Sequence, residues 1–450
     1  MTDADYAAWL ADHAAPRVVL CEMEHGAGTE FLASHPYISR PTDAVPNRVY
    51  DDLLAEAIDI ETRADARLSF GEVRLVNDGA LDAWLGYAWT GHAIRLYLGG
   101  PGWSRDDFRL HARGINQGIS GARRGELVFS MVDQSARLDE PLDTGTLPLG
   151  GGPVPLALGS VYNAPAYRVS TTALTYRASY LAATALTPKE LGNTVPHTDD
   201  LAGGAFTLDN APGGALTVDI QQADDTPAEV VAWVAAQYGL TVAENGLSGY
   251  TVGLYYAGPV SGRQILDDLC RGQGGYWYLD ALGQLVVRQH QVPTVAELTL
   301  APDDVLFGSL ELVETQQPWA SLTLRWGRNA APLREVAGTI EANDASEAER
   351  LKREWRESVA TQALPDYPLA EEVTRASPLS VAADAATERD RLLALRAVRR
   401  DVWRLEAFLP EADVGQAIAV EVGALSGRLG RVIAVRRSPT RGITTLEVWV

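Results

Sequence analysis

Between Thr226 and Arg288 the apolar residues change period, and that change limits what this part of the chain can become. The stretch "TPAEVVAWVAAQYGL" carries Val230, Val231, Val234 and Tyr238 at helical spacing. Asp225 or Thr226 can cap it, Pro227 takes the first helical position, and Gly239 ends it. "GYTVGLYYAG" then reads as a strand, and "SGRQILDDLCRG" as a second capped helix with Ile265, Leu266 and Leu269 inward. Directly behind it, "GGYWYLDALGQLVVR" alternates around an Asp-Ala-Leu-Gly-Gln break, which predicts a hairpin with Trp277, Leu279, Leu285 and Val287 on one apolar face. Two amphipathic helices need a surface to cover, and this face supplies it. The aromatics are therefore expected in the core of a helix-on-sheet layer.

The rest of the chain is richer in strands. From Val18 to Asp139, "RVVLCEMEH", "RLSFGEVRLVND", "AIRLYLGG", "FRLHARGI" and "ELVFSMVD" alternate or cluster apolar residues between turns, as in a sandwich or barrel with little helix. Asn77-Asp78-Gly79 reads as a tight turn with Gly79 at positive φ. Residues 140–167, dense in Pro and Gly, read as a linker. "AYRVSTTALTYRASY" and "GGAFTLDNAPGGALTVDIQ" follow as a small β segment with "NAPGG" as the turn between two strands.

Beyond Asp303 come further strands, then "NDASEAERLKREWRESVAT" as an exposed charged helix with favourable Glu and Arg spacing. A Pro-containing loop leads to "AADAATERDRLLALRAVRRDVWRLEAFLP", a helix running into a strand. Three or four closing strands are enough for a small barrel. At 450 residues the chain suits three or four compact units. The expected fold class is α+β, mainly β and multidomain. Its parts are a β-rich N-terminal domain (1–145), a linker and β segment (146–222), an α+β module (223–300), and strands, two helices and a small C-terminal β-barrel (301–450).

Charge narrows the function. The formal net charge is −21, with 59 acidic residues scattered along the chain, whereas a sequence-independent grip on nucleic acid needs a basic surface. Only Cys21 and Cys270 occur, so neither a disulfide framework nor a multi-cysteine metal site is expected, and a reducing compartment fits. The N-terminus is acidic where a secretory signal is basic, and no apolar run is long enough to span a membrane.

Motifs of catalysis are sparse. The seven histidines are dispersed and none forms HExxH. In "CEMEHG", strand geometry places Cys21, Met23 and His25 on one face and Glu22 and Glu24 on the other, which is poor ligand geometry. There is no GxSxG, and neither "GGPG" nor "LGGGP" continues into a phosphate-binding pattern. Paired carboxylates suit glycan cleavage, and six adjacent pairs exist: Asp51-Asp52, Asp106-Asp107, Asp199-Asp200, Asp224-Asp225, Asp267-Asp268 and Asp303-Asp304. So acidic a chain produces such pairs anyway, and several sit where caps and turns want Asp. Trp84, Tyr87, Trp89, Tyr97 and Trp103 suit either a β core or a sugar-stacking platform, the core being the reading favoured. No residue is assigned a catalytic, cofactor-binding or metal-binding role.

The order of these pieces resembles the tail-tip or baseplate hub proteins of tailed bacteriophages and of gene transfer agents along most of the chain. Four blocks carry the resemblance: "FLASHPYISRPTDAVPNRVYDDLLAEAIDIETR" with "LSFGEVRLVNDGALDAWL", the helix, helix and hairpin from Thr226 to Arg288, "WASLTLRWGRNAAPL", and "DVGQAIAVEV" to "TTLEVWV". None is a catalytic signature. The resemblance implies tube-like β domains and a structural virion protein at the distal end of a phage tail, of the long non-contractile kind. It implies a homotrimeric ring adapting a sixfold tube to a threefold tip, with the distal tail protein, tape measure and tip or fibre proteins as neighbours. DNA would pass through the channel without specific binding, lumen-facing carboxylates would keep it from sticking, and the particle would be assembled in the host cytoplasm. Some relatives carry a Cys-bound iron–sulfur cluster, for which two distant cysteines are too few, so no cofactor is expected. The competing reading is a carbohydrate-binding or glycan-cleaving tail protein that contacts the host envelope.

Overall fold

The computed structural model describes all residues except 13, 56–58, 65–67, 281, 409–411 and 439–440, and the side chains of 68–70 are likewise left aside. Parts of the first and last resembling blocks, and Ala281 in the hairpin break, lie outside the described residues. The chain is α+β, mainly β, and multidomain.

The helical module forms as its pattern requires. Thr226 caps the helix Pro227–Gln237 in a reciprocal capping box with Glu229, and Val230, Val231 and Val234 are fully buried. Gly239 follows in the left-handed region, at φ 64°. Ser261 caps Gly262–Gly272 by accepting from the Gln264 N–H, and this helix buries Ile265, Leu266 and Leu269. The hairpin pairs Gly275–Leu279 with Leu285–Gln289, placing Trp277 opposite Val287 and Leu279 opposite Leu285. The Asp280 carboxylate closes the connection by accepting from the Leu282 and Gln284 N–H groups at 2.9 and 2.8 Å. Trp277, Leu279, Leu285 and Val287 pack in one core with both helices and with Trp319, Leu322 and Leu392. The Trp277 indole N–H donates to Asp267 at 2.8 Å, so its polar atom is satisfied.

The opposite face of the hairpin is buried as well. Tyr276, Tyr278 and Val286 belong to the core of the C-terminal sheet, with Leu405, Ile418, Val435 and Leu446. The Tyr278 hydroxyl donates to the Val414 carbonyl at 3.3 Å. Gly415 sits at φ 88°, and a Cβ there would lie 2.2 Å from the Tyr276 hydroxyl, so the backbone approaches the ring as only glycine permits.

The C-terminal sheet runs Leu298–Leu300, Ala417–Val420, Leu429–Ser438, Ile443–Trp449, Arg400–Phe408, Glu311–Gln316. Its other neighbour comes from far upstream: Ile60–Arg63 pairs antiparallel with the second half of Leu429–Ser438, and Leu68–Phe70 extends the pairing. The N-terminal sheet has eight strands, with Val18–His25, Ala93–Gly99, Arg109–Arg123 and Gly125–Val132 in its interior. The strand Gly28–Ala33 and the helix Asp3–Ala11 are further elements that the apolar pattern did not single out.

Two segments depart from the sequence reading. Within the supposed linker, Leu156–Pro165 is a buried strand paired on both sides, by Leu216–Gln221 and Gly253–Tyr256. The Pro- and Gly-dense turns of 141–155 masked the apolar run "LALGSVYNA" that follows them. "NAPGG" does join two strands, but Ala205–Leu208 and Leu216–Gln221 lie in different sheets that share a core around Phe206, Val218 and Ile220. The second departure is in the charged stretch, where the helix Ala345–Lys352 stops early and Arg356–Thr361 becomes a strand beside Trp319–Trp326. Its inward residues, Ser358 and Ala360, follow period two. The favourable charge spacing does form, as the Glu349–Arg353 pair, but such an exposed pair contributes only about 0.3–0.5 kcal/mol and cannot outweigh sheet pairing.

The two faces of the hairpin can be tested separately by urea unfolding. Trp277→Ala should lower stability by about 3–5 kcal/mol through the cavity it opens in the helical core. Gly415→Ala should lower it by about 2–4 kcal/mol, through the left-handed backbone and the clash with Tyr276. A loss below about 1 kcal/mol for Gly415→Ala would mean that the second face is not tightly packed.

Candidate functional site

The six carboxylate pairs are taken up by local structure or stand in solvent. Asp106 accepts from the Ala44 N–H at 3.1 Å and Asp107 from the N-terminal ammonium at 2.6 Å. Asp199 pairs with His197 at 3.2 Å, and Asp200 closes a turn at the Gly203 N–H. Asp225 accepts from Gln221, Asp267 from Trp277, and Asp268 from the Tyr256 hydroxyl at 2.9 Å. Asp304 accepts from the Ala301 N–H, while Asp51, Asp52, Asp224 and Asp303 are exposed. Apart from Asp51-Asp52, every pair thus has at least one member held by a local hydrogen bond or ion pair.

"CEMEHG" divides by face as strand geometry requires. Cys21, Met23 and His25 point into the sheet's core, and burial pushes the Cys21 thiol far up. On the other face Glu22 accepts from the Tyr50 hydroxyl and pairs with Arg105 at 2.8 Å, while Glu24 pairs with Arg95 at 2.6 Å. Among the described residues no three His, Cys, Asp or Glu side chains gather as a metal-binding group. Trp84 and Trp89 are buried and joined by an indole N–H donated to the Trp84 carbonyl, so the aromatic run is mostly core. Tyr87 is the exposed member and stacks on His25, with ring centroids 4.5 Å apart.

The most distinctive concavity lies elsewhere, where the hairpin, the helix Gly262–Gly272, the helix Ala382–Leu395 and the C-terminal sheet meet. This cleft of about 770 Å³ is lined by Arg63, Arg271, Arg375 and Arg396 and, among the described residues, by one carboxylate, Asp267. Asp267 is already engaged by Trp277. The Arg375 and Arg396 guanidinium carbons lie 4.7 and 5.0 Å from the centroid of the buried Trp319 ring. Arg396 donates to the Gln316 side chain and, at 3.3 Å, to the Gln317 carbonyl. Among the described residues neither Arg375 nor Arg396 has a carboxylate in salt-bridge contact. Burial lowers both guanidinium pKa values, yet arginine keeps its charge. The imidazole of His290, 4.8 Å from the Tyr276 ring, is pushed down to about 4 by burial first and then by Arg391, Arg375, Arg431 and Arg396. Arg63 pairs with Glu61 and Glu447, and Arg271 lies 3.9 Å from Asp268, so Arg375 and Arg396 are the lining arginines without a carboxylate contact among the described residues. Sequence reading missed this cleft because its arginines come from four separate segments; the only local signal is the arginine density of "LRAVRRDVWR".

No family model matches the chain, and no curated protein matches it. Among solved structures it is similar to a 43 kDa tail protein of prophage MuSo2 from Shewanella oneidensis, with 11% identity, 96% of this chain and 98% of that chain covered, and a TM-score of 0.46. It is similar to a tail protein from Neisseria meningitidis MC58, with 12% identity, 97% of each chain covered and a TM-score of 0.47. A third likeness is to a chain in the virion of a native gene transfer agent particle, with 15% identity, 70% of this chain and 90% of that chain covered, and a TM-score of 0.47.

His290 makes the cleft region sensitive to acid in a defined direction. Its folded-state pKa of about 4 lies below the ordinary imidazole value of 6.5, so between those pH values the unfolded chain binds the extra proton. Its contribution to stability is complete above pH 6.5 and is lost as the pH falls towards 4. His290→Asn should therefore flatten the stability–pH curve in that window by at most about 1.4 kcal/mol per pH unit, measured by urea unfolding from pH 4.5 to 7.5. The buried His111, pushed down to about 3, keeps part of the slope in the variant. An unchanged slope would show that His290 titrates normally.

Proposed function

We propose that the chain is a structural subunit of a phage-type tail, the hub at its distal end, acting through assembly and not catalysis. The observation that carries this reading is the pair of strands Ile60–Arg63 and Leu68–Phe70, built onto the C-terminal sheet although the strands before and after them, Val49–Asp52 and Val73–Asn77, belong to the N-terminal sheet. Such interlocking ties the two sheets together through backbone pairing, which suits a scaffold. The order of the four sequence blocks that resemble tail-tip hubs supports the same reading. So does the net charge of −21, which suits a protein surrounding DNA without holding it. In this role the chain forms a homotrimer around the channel of the virion. It meets the distal tail protein, tape measure and tip or fibre proteins, after assembly in the host cytoplasm. Burial of Trp84 and Trp89 removes the main residues on which a sugar-binding platform would rest.

Light scattering and single-particle electron microscopy of the purified chain test this reading. The expected mass is three times the 48.4 kDa of one chain, in a threefold ring with an open channel lined by carboxylates. A monomer at every concentration, with hydrolytic activity on envelope glycans that is lost on mutation of one of the acidic pairs, would replace the hub by the glycan-cleaving alternative.

A further inference from the structure

We infer that the arginine cleft is a binding site for a short acidic segment of another polypeptide. Three observations carry this. First, Arg375 and Arg396 flank Trp319 without a carboxylate partner among the described residues, in a chain whose acidic residues outnumber its basic ones by 59 to 38. About half of the arginines find a carboxylate among the described residues, as Arg404 and Arg63 do on Glu447 and Arg288 does on Glu244. Two that remain together, held in place by a buried indole, form a preorganised receptor for a carboxylate. Second, the cleft combines these charges with the Trp319, Trp449 and Tyr276 rings, so a segment with an apolar or aromatic residue beside its acid would meet both kinds of surface. At about 770 Å³ the cleft admits a few side chains and not a folded domain.

Third, the surroundings discriminate between anions. Glu314, Glu371 and Glu372 are exposed, and Glu314 and Glu371 act on Arg396 from beyond contact distance. A nucleic acid would have to run its backbone over this acidic surface, within the roughly 10 Å over which charges are felt at 0.1 M salt. A short peptide places its carboxylate in the cleft and leaves the repulsive surface behind. Arg271 also lines the cleft; its side chain is 72% exposed and lies 3.9 Å from Asp268, a weak exposed contact from which it can turn to draw such a segment in. This site is independent of whether the chain forms a ring.

Fluorescence anisotropy on the full chain tests the inference, with a labelled Asp-Glu-Phe-Asp-Glu peptide as probe and a thymidine oligonucleotide of equal charge as competitor. Saturable binding in 50 mM salt is expected, weakening about tenfold in Arg375→Gln and severalfold in Arg271→Glu. The oligonucleotide should not displace the peptide. Arg271 is exposed on its helix, so Arg271→Glu reports on the cleft even if Arg375→Gln perturbs packing around Trp319. No peptide binding at millimolar concentration, binding unaltered in both variants, or displacement by the oligonucleotide at equal concentration would each overturn it.

Discussion

The hairpin Gly275–Leu279/Leu285–Gln289, which pairs along one edge with Val242–Asn245, buries side chains on both of its faces, and much of the C-terminal two-thirds is arranged around that fact. One face closes the helical core and the other closes the core of the C-terminal sheet, so a single run of backbone pairing joins two hydrophobic cores. Register is then doubly enforced: a slip by one residue would exchange Trp277 with Tyr276 or Tyr278 and misfit both cores at once. The polar atoms agree with the packing. The Trp277 N–H reaches Asp267 on one side, and the Tyr278 hydroxyl reaches the Val414 carbonyl on the other. Each partner exists on only one side, so the aromatics fix orientation as well as bury area.

A second joint ties the chain's beginning to its end. Beside the pairing of Ile60–Arg63 with Leu429–Ser438, Arg436 meets Asp59 at 2.6 Å, and Glu447 accepts from Arg63 and Arg404 at 2.8 and 2.9 Å. Burial alone would raise the Glu447 pKa; the two guanidinium hydrogen bonds outweigh it and hold the carboxyl below its ordinary value. A buried charge with two geometrically good partners fixes the strand's position more than it adds net stability. The entropic penalty for closing so long a loop grows only logarithmically, so the contact is thermodynamically permissible, whereas its sequence separation delays its formation during folding.

Local signals made the helical module legible. Thr226, Pro227 and Gly239 mark one helix, Ser261 starts the other, and Val230, Ile265 and Leu269 show their buried faces without help from the rest of the chain. The alternation through Trp277 and Leu285 gave one hairpin face. The burial of Tyr276 and Tyr278 was not legible, because their partners lie more than a hundred residues downstream and a tyrosine is as much at home at a surface as in a core. Arg356–Thr361 was read as helix for a related reason. Its charges satisfied a helical spacing rule, while the strand that decides its conformation, Trp319–Trp326, is remote in sequence. The strand Leu156–Pro165 was hidden by its neighbours: punctuation by Pro and Gly is informative where it stands and says nothing about the apolar run that follows.

The arginine cleft shows where such reading ends. Arg271, Arg375 and Arg396 have no relation in sequence, and each alone is an ordinary residue of an Arg-rich chain. Only the meeting of the helix Gly262–Gly272, the strand Glu371–Ala376 and the end of the helix Ala382–Leu395 makes them a group. Net charge is then a poor guide to local chemistry. Within about a Debye length of the surface the surplus carboxylates govern what approaches, and they repel polyanions; inside the cleft, lower dielectric and fixed guanidinium geometry govern what stays. Those two filters act in series on any acidic ligand. Together they favour one whose charge is confined to the few residues that enter the cleft, because every further negative charge left outside it faces the chain's own acidic surface.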